Sequence, residues 1–276
     1  MDKLCFGTAG IPLSTFPHTT TTGIKRVREL GLEAMELEFV RQVNISEDKA
    51  PEVKAAAQKH DVVLTCHGQY FINLNSQDKA ITEASMKRIY HAAKIASQCG
   101  AYSMTFHAAY YMTNHAEQVY QAVKSTLKQV IEQLQDEGHT LWIRPETTGK
   151  ATQWGDLKEI LRLSQELEQV MPAIDFSHLH ARTGGKNNTL DEFRQILGEV
   201  EKVLGRKGLD NMHIHVSGIH YTDKGERHHL NLKESDMNYK ELIKAWKEFK
   251  IKGAVISESP NIEEDAELMK REYEKG

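Results

Sequence analysis

Five of the chain's fourteen histidines fall in one stretch, Met212 to His229, MHIHVSGIHYTDKGERHH, together with Asp223 and Glu226. Neutral imidazole is the commonest side-chain metal ligand, and carboxylates usually complete such sites. The same residue types recur elsewhere, each at or just after a short β-rich run. His67 follows VVLTC, His107 follows SMTF, Glu146 ends TLWIRP, and Asp175 ends MPAI with His178 three residues on. His213 and His215 lie in MHIHV, Glu226 and His228 lie beyond it, and Glu258 ends AVIS. A metal needs ligands converging from several directions at roughly 2.0–2.3 Å. Side chains at the ends of strands arranged in a ring meet that requirement better than one helix or hairpin. Such a set is too large for one tetrahedral zinc, which takes three or four ligands. Histidines mixed with carboxylates suit zinc, with manganese possible, whereas magnesium prefers oxygen alone. Two or three adjacent ions sharing a carboxylate accommodate the set, and sites of that kind hydrolyse phosphate esters.

The elements that must position these residues alternate along the chain. Candidate strands end near Gly7, Glu38, Cys66, His107, Glu146, Asp175, His215 and Glu258, and each is followed by an amphipathic helical segment. The clearest helix, about Ala116 to Glu137, places Val119, Val123, Leu127, Val130, Ile131 and Leu134 on one stripe and stops at Gly138. The second helix is expected to open at Ser46, and the sixth after Thr189, whose Thr-x-x-Glu pattern with Glu192 forms a capping box. Eight strand–helix repeats without a linker or composition shift predict a single (β/α)8 TIM barrel over residues 1–276. An open nucleotide-binding sheet would favour GxGxxG after the first strand, and GTAGIP lacks it. In such barrels the reactive face lies at the C-terminal ends of the strands, where the polar residues above fall.

Composition narrows the function classes. No apolar run approaches the roughly 20 residues that span a bilayer, and MDKLCFGTAGIP has no signal-peptide pattern. A cytoplasmic protein without membrane partners is expected, as a monomer. Cys5, Cys66 and Cys99 form no CxxC and read as reduced core thiols. The net charge of −4 argues against broad electrostatic binding to nucleic acid but leaves room for a locally positive, ion-bearing site.

At the level of motifs the chain resembles the endonuclease IV family, the zinc-dependent abasic-site endonucleases built on a xylose-isomerase-like barrel. HGQYFINL from His67 resembles the family's HxxYxINL, and TFHA its strand-four histidine motif. PETTGKATQWGDLKEIL from Pro145 resembles its glutamate strand end, loop and helix. IDFSH carries its Asp-x-x-His pair, GERHH its acid-Arg-His pattern and SES its last glutamate. The resemblance implies three zinc ions: His67, His107 and Glu146 at the first; the shared Glu146 with Asp175, His213 and Glu258 at the second; His178, Glu226 and His228 at the third. It makes His215 a neighbour lining the site, and leaves His220 and His229 either at the surface or behind the ligands. It implies Glu146 and Glu258 as the residues holding the catalytic core. It also implies an abasic double-stranded DNA partner contacted by Tyr70, Phe71 and Arg41. The chain departs from the family's pattern at Glu226, where Asp is usual, and at Thr147, where Asn is usual. The alternative is a one-metal sugar isomerase or epimerase on a similar barrel, which needs only Glu146, Asp175, His213 and Glu258.

Overall fold

The computed structural model describes residues 1–275. Eight short parallel strands make one sheet: β1 (Leu4–Ala9), β2 (Ala34–Glu38), β3 (Val63–His67), β4 (Ser103–Phe106), β5 (Trp142–Pro145), β6 (Ile174–Asp175), β7 (Met212–Val216) and β8 (Gly253–Ser257). Their order is β5-β4-β3-β2-β1-β8-β7-β6. Parallel bridges Ile143–Val170 and Glu146–Ala173 join the two outer strands and close the ring. The expected barrel is therefore the observed fold, with strand ends within two residues of those read from the sequence.

Each strand alternates between two buried environments, because a barrel strand has helices on one side and the barrel interior on the other. In β3, Leu64 and Cys66 join the hydrophobic core while Thr65 and His67 carry the inward hydrogen-bonding and charged contacts. Barrel interiors are usually filled by branched apolar residues. Here the interior is polar, with Glu36, Thr65, Ser103, Thr105, Arg144, His213 and His215 all buried. Arg144 forms part of its floor. Its guanidinium donates to the carbonyls of Pro172 (2.7 Å) and Asn211 (2.8 Å) and lies 5.6 Å from the Tyr102 ring centroid. Burial pulls the Arg144 pKa down to about 10.

The helices pack outside, and their sequences explain their limits. α1 is Thr20–Glu29, α2 Ala50–His60, α3 Lys79–Gln98 and α4 Ala116–Asp136. They are followed by α5 Leu157–Glu166, α6 Phe176–Arg182, α7 Leu190–Leu209, α8 Tyr239–Phe249 and α9 Glu263–Glu274. The α4 stripe is buried as its period requires. Capping boxes at Asp156/Glu159 and Thr189/Glu192 start α5 and α7. α2 begins four residues after Ser46, whose backbone carbonyl accepts turn hydrogen bonds from Lys49 and Ala50; Pro51 sits in its first turn. α6 is an addition to the repeat. It starts directly at β6, with Asp175 as its N-cap, accepting from the backbone N–H of His178 at 2.7 Å. A second addition is an antiparallel hairpin after β7, pairing Gly218–Thr222 with Gly225–Leu230. Among the described residues no helix is long and apolar enough to cross a membrane.

Candidate metal centre

The polar strand ends converge at the mouth of the barrel. His67 ends β3, His107 and Glu146 follow β4 and β5, Asp175 ends β6, and Glu258 follows β8. Three groups of side chains there each hold their ligand-type atoms within 4.8 Å of one another. They are His67, His107 and Glu146; Glu146, Asp175, His215 and Glu258; and His178, Glu226 and His229.

Glu146, fully buried, belongs to two of them, and its two oxygens divide the work. Oε2 lies 3.4 Å from His67 Nε2 and 3.6 Å from His107 Nε2. Oε1 lies 3.2 Å from His215 Nδ1. That Nδ1 is also 3.4 Å from Glu258 Oε1. In the third group His178 Nε2 is 3.5 Å from Glu226 Oε2, and His229 Nε2 is 3.9 Å from Glu226 Oε1.

These separations carry chemical information. Two ligand atoms at 2.0–2.1 Å from one tetrahedral ion stand about 3.3 Å apart, whereas a charge-assisted N–H···O contact closes to about 2.7–2.9 Å. The donors at the mouth are spaced for ions. Buried polar atoms without hydrogen-bond partners point the same way: His107 Nε2, Asp175 Oδ2 and Glu258 Oε2. The residues thus fit divalent cations.

The rings are also oriented. His67 Nδ1 lies 2.7 Å from the Gly68 carbonyl, His178 Nδ1 3.0 Å from the Thr147 carbonyl, and His229 Nδ1 3.1 Å from the Glu258 carbonyl. With Nδ1–H donating to backbone, each ring presents a bare Nε2 to its group, the arrangement that metal-binding histidines use. Thr147 braces this region, its hydroxyl accepting from the Asp175 N–H at 2.9 Å.

Electrostatics at the mouth are strongly coupled. Burial would push the Glu146 carboxyl up, but His215 and His107 beside it outweigh burial and hold it well below the usual carboxylate range. Burial pushes Asp175 up to about 8 against the pull of His178. Burial would depress His67, yet the Glu146 carboxylate holds it at about 10. Two acids that the sequence reading left without a role face the same interior from β2. Glu36 is wholly buried, and Glu38, partly buried, is pushed up to about 8 by burial and by the charge of Glu36.

Two histidines expected as ligands lie outside the three groups. His213 shares its face of β7 with His215, but sits two residues, or roughly 6.6 Å, deeper in the barrel. Its Nδ1 is 3.0 Å from Ser103 Oγ, and His215 takes the position at the mouth. His228 lies on the exposed side of the hairpin, its ring tilted against that of His220 with centroids 5.1 Å apart. The cause is a bulge: His220 pairs with His228 but Tyr221 pairs with Glu226, so Arg227 is an extra residue. The extra residue breaks the two-residue alternation and puts His229 on the side of Glu226. Of the DNA contacts expected, Tyr70 and Phe71 are 57% and 69% exposed on the loop after β3, and Arg41 is exposed on the loop after β2. Leu13 and Phe16, after β1, and Tyr110 and Met112, after β4, add further exposed apolar surface on the loops at that end. At the end of α6, Arg182 donates to Thr148 Oγ1 and to the Gln153 carbonyl of the loop before α5.

Comparison with known proteins agrees with this architecture. The model of the xylose isomerase-like TIM barrel family matches residues 24–274. An uncharacterized protein of Methanocaldococcus jannaschii is 42% identical over 98% of this chain and 97% of its own length. An endonuclease 4 homolog of Dictyostelium discoideum is 26% identical over 59% of this chain, a match spanning 30% of that protein. Among solved structures, endonuclease IV from Thermus thermophilus superposes with a TM-score of 0.74 at 16% identity, covering 98% of this chain and 100% of the other. A D-tagatose 3-epimerase-like protein superposes with a TM-score of 0.71 at 18% identity, covering 96% and 94%. At these identities the superpositions speak to the fold.

Proposed function

Since the chain belongs to the xylose isomerase-like TIM barrel family, a family fold shared by nucleases and sugar enzymes, we propose that it is a metal-dependent phosphodiester hydrolase of the endonuclease IV kind, cleaving DNA 5′ to abasic sites. One observation carries the reading. Glu146 directs one oxygen to each of two groups of ligand-type atoms, and a third group stands beside them. A one-metal isomerase needs only Glu146, Asp175, His215 and Glu258. It gives no reason for His67, His107, His178, Glu226 and His229 to gather at the same mouth.

His67, His107 and Glu146 would hold one ion, Glu146, Asp175, His215 and Glu258 a second, and His178, Glu226 and His229 a third. Zinc is the expected metal for this donor set. Ions there would supply Lewis acidity, activating a water, holding the phosphoryl oxygens and neutralising charge on the departing 3′-oxygen. The chain's own residues do the rest. Glu146 and Glu258 fix the positions around which the phosphodiester is placed. Tyr70 and Phe71, on an exposed loop at the rim, offer apolar faces to bases unstacked beside an abasic gap, with Arg41 nearby for the backbone. A monomer acting in the cytoplasm suits this role.

The deciding experiment measures metal content and cleavage on the same preparation. Protein purified without chelator should carry about three zinc ions per chain and nick a duplex with one abasic site, sparing the intact duplex. One ion per chain with no cleavage would overturn the reading in favour of the sugar isomerase or epimerase.

A further inference from the structure

Beneath the mouth lies a group that the proposed chemistry leaves unused. Glu36, at the centre of β2, has no solvent exposure, and neither do His213 and His215. Glu36 Oε1 is 2.9 Å from His215 Nε2, and Oε2 is 2.8 Å from His213 Nε2. Thr65 Oγ1 donates to Oε2 at 2.8 Å, and Ser103 Oγ lies 3.0 Å from His213 Nδ1. A carboxylate, two imidazoles and two hydroxyls thus form one polar cluster inside the barrel; the ligand-type atoms of Glu36, His213 and His215 lie within 4.8 Å of one another, as in the groups at the mouth, and Glu36 Oε1, His213 Nε2 and His215 Nε2 have no hydrogen-bond partner. Burying a carboxylate this deeply costs several kcal/mol unless partners compensate, and among the described residues no lysine or arginine forms an ion pair with Glu36.

Distances separate this cluster from the groups above it. At the mouth, the closest contacts between donors run from 3.2 to 3.6 Å in the first two groups. The two Glu36 contacts, at 2.8 and 2.9 Å, have the length of charge-assisted hydrogen bonds and are too short for the edge of a tetrahedral ion site. The rings approach the carboxylate obliquely, so the contact is an ion pair more than a linear hydrogen bond.

His215 also differs from its neighbours. His67, His178 and His229 rest Nδ1 on a backbone carbonyl and present Nε2. His215 is reversed. It presents Nδ1 to Glu146 and Glu258, and its Nε2 meets a carboxylate. The negative charge of a carboxylate behind a ligating imidazole makes the ring a stronger donor, which a neutral carbonyl does less well.

We propose that Glu36, held in place by His213 and Thr65, is the positioning residue for His215, and that it sets the affinity of the ion shared by Glu146, Asp175, His215 and Glu258. The proposal rests on the metal reading above, and its test keeps the two apart. Zinc content and chelator competition are measured on the full chain and on Glu36→Gln, which keeps the shape and removes the charge. The expected result is one ion of the three bound 10- to 100-fold more weakly, with the other two unchanged. Glu36→Asp should recover part of the loss. His213→Gln, which leaves the Glu36–His215 contact in place, serves as a second variant if Glu36→Gln fails to fold, and should weaken the same ion to a smaller degree. Unchanged affinity for all ions in folded Glu36→Gln would overturn the positioning role while leaving the metal reading intact. A fourth equivalent of zinc in the parent chain, lost in both Glu36→Gln and His213→Gln, would overturn it too, making Glu36 a ligand. A parent chain that binds no zinc would remove the metal reading itself.

Discussion

Replacing His229 and His228 one at a time asks whether the hairpin bulge decides which histidine serves the third group. His229 Nε2 faces Glu226, its side chain is 26% exposed, and its other nitrogen rests on the Glu258 carbonyl. His228 is exposed and touches His220. Zinc held by a full set of protein ligands is bound by about 10–16 kcal/mol, so one ligand accounts for roughly 3 kcal/mol. That is on the order of 10² in dissociation constant. His229→Ala is therefore expected to release one of three ions at micromolar zinc, while His228→Ala retains all three. Removing an ion that stabilises developing charge should slow cleavage of an abasic duplex by about 10²-fold or more in His229→Ala, with His228→Ala near the parent rate. Melting of the chelator-treated proteins controls for folding: His228→Ala, at an exposed position, should shift stability by only about 0.5 kcal/mol, and His229→Ala, which loses its hydrogen bond to the Glu258 carbonyl, by about 1 kcal/mol. Ion loss in His228→Ala with full content in His229→Ala would refute the placement of the bulge and restore the alternation expected from the sequence.

Gly149→Ala should act on the same group from the other side. A Cβ there would stand 2.7 Å from Glu226 Cβ and Oε2 and 3.1 Å from His178 Cδ2. Metal analysis should show a weakened third ion, and melting a loss of about 1–3 kcal/mol from overpacking. The double change Tyr70→Ala/Phe71→Ala should leave the number of bound ions unchanged and lower stability by no more than about 1.5 kcal/mol, since Tyr70 packs edge-on against the His67 ring. It should weaken abasic-duplex binding about tenfold in a filter or anisotropy assay, as lost stacking is worth about 1–3 kcal/mol per base. In the metal-free chain, Glu38 and Asp175 are raised to about 8 and His67 to about 10, so the folded state keeps these protons longer than the unfolded chain does. The stability they contribute is present at low pH and is lost as pH rises through those values. Melting of chelator-treated protein should therefore fall as pH rises from about 5 to 10, the two acids acting up to about 8 and His67 up to about 10, whereas the stabilisation by added zinc should grow across the lower part of that range as ligands deprotonate. A flat apo profile would contradict the shifts.

The architecture was legible because its signal is repeated and local. Strands such as VVLTC and helices such as Ala116–Asp136 carry the right periods, and the first polar residue past each strand identifies the mouth. What resisted reading was depth and register. His213 and His215 share one face of β7, and chain direction makes His215 the nearer to the mouth, but the depth at which the ligands sit depends on where the strand lies in the ring. The choice between His228 and His229 turned on one extra residue, Arg227, with no proline or glycine beside it to mark it. Glu36 and Glu38 were missed for a different reason. Acids alternating with apolar residues in AMELE suggest a strand with one wet face, and only closure of the barrel puts that face indoors. α6 was missed because Asp175 both ends a strand and caps a helix.

The hairpin after β7 has a further consequence, for motion. Glu226 and His229 ride on a two-stranded ribbon outside the barrel sheet, docked where the Glu226 N–H donates to the Gly149 carbonyl at 3.0 Å. A Cβ on Gly225 would lie 2.3 Å from that carbonyl, so the two backbones touch directly. A ribbon of this kind opens more readily than a barrel strand, and its amides should exchange with solvent sooner. An ion bound by Glu226, His229 and His178 would bolt it to α6, and each opening of the ribbon would give that ion its exit. The third ion should then leave at the rate at which the ribbon lifts, while the two sharing Glu146 stay behind.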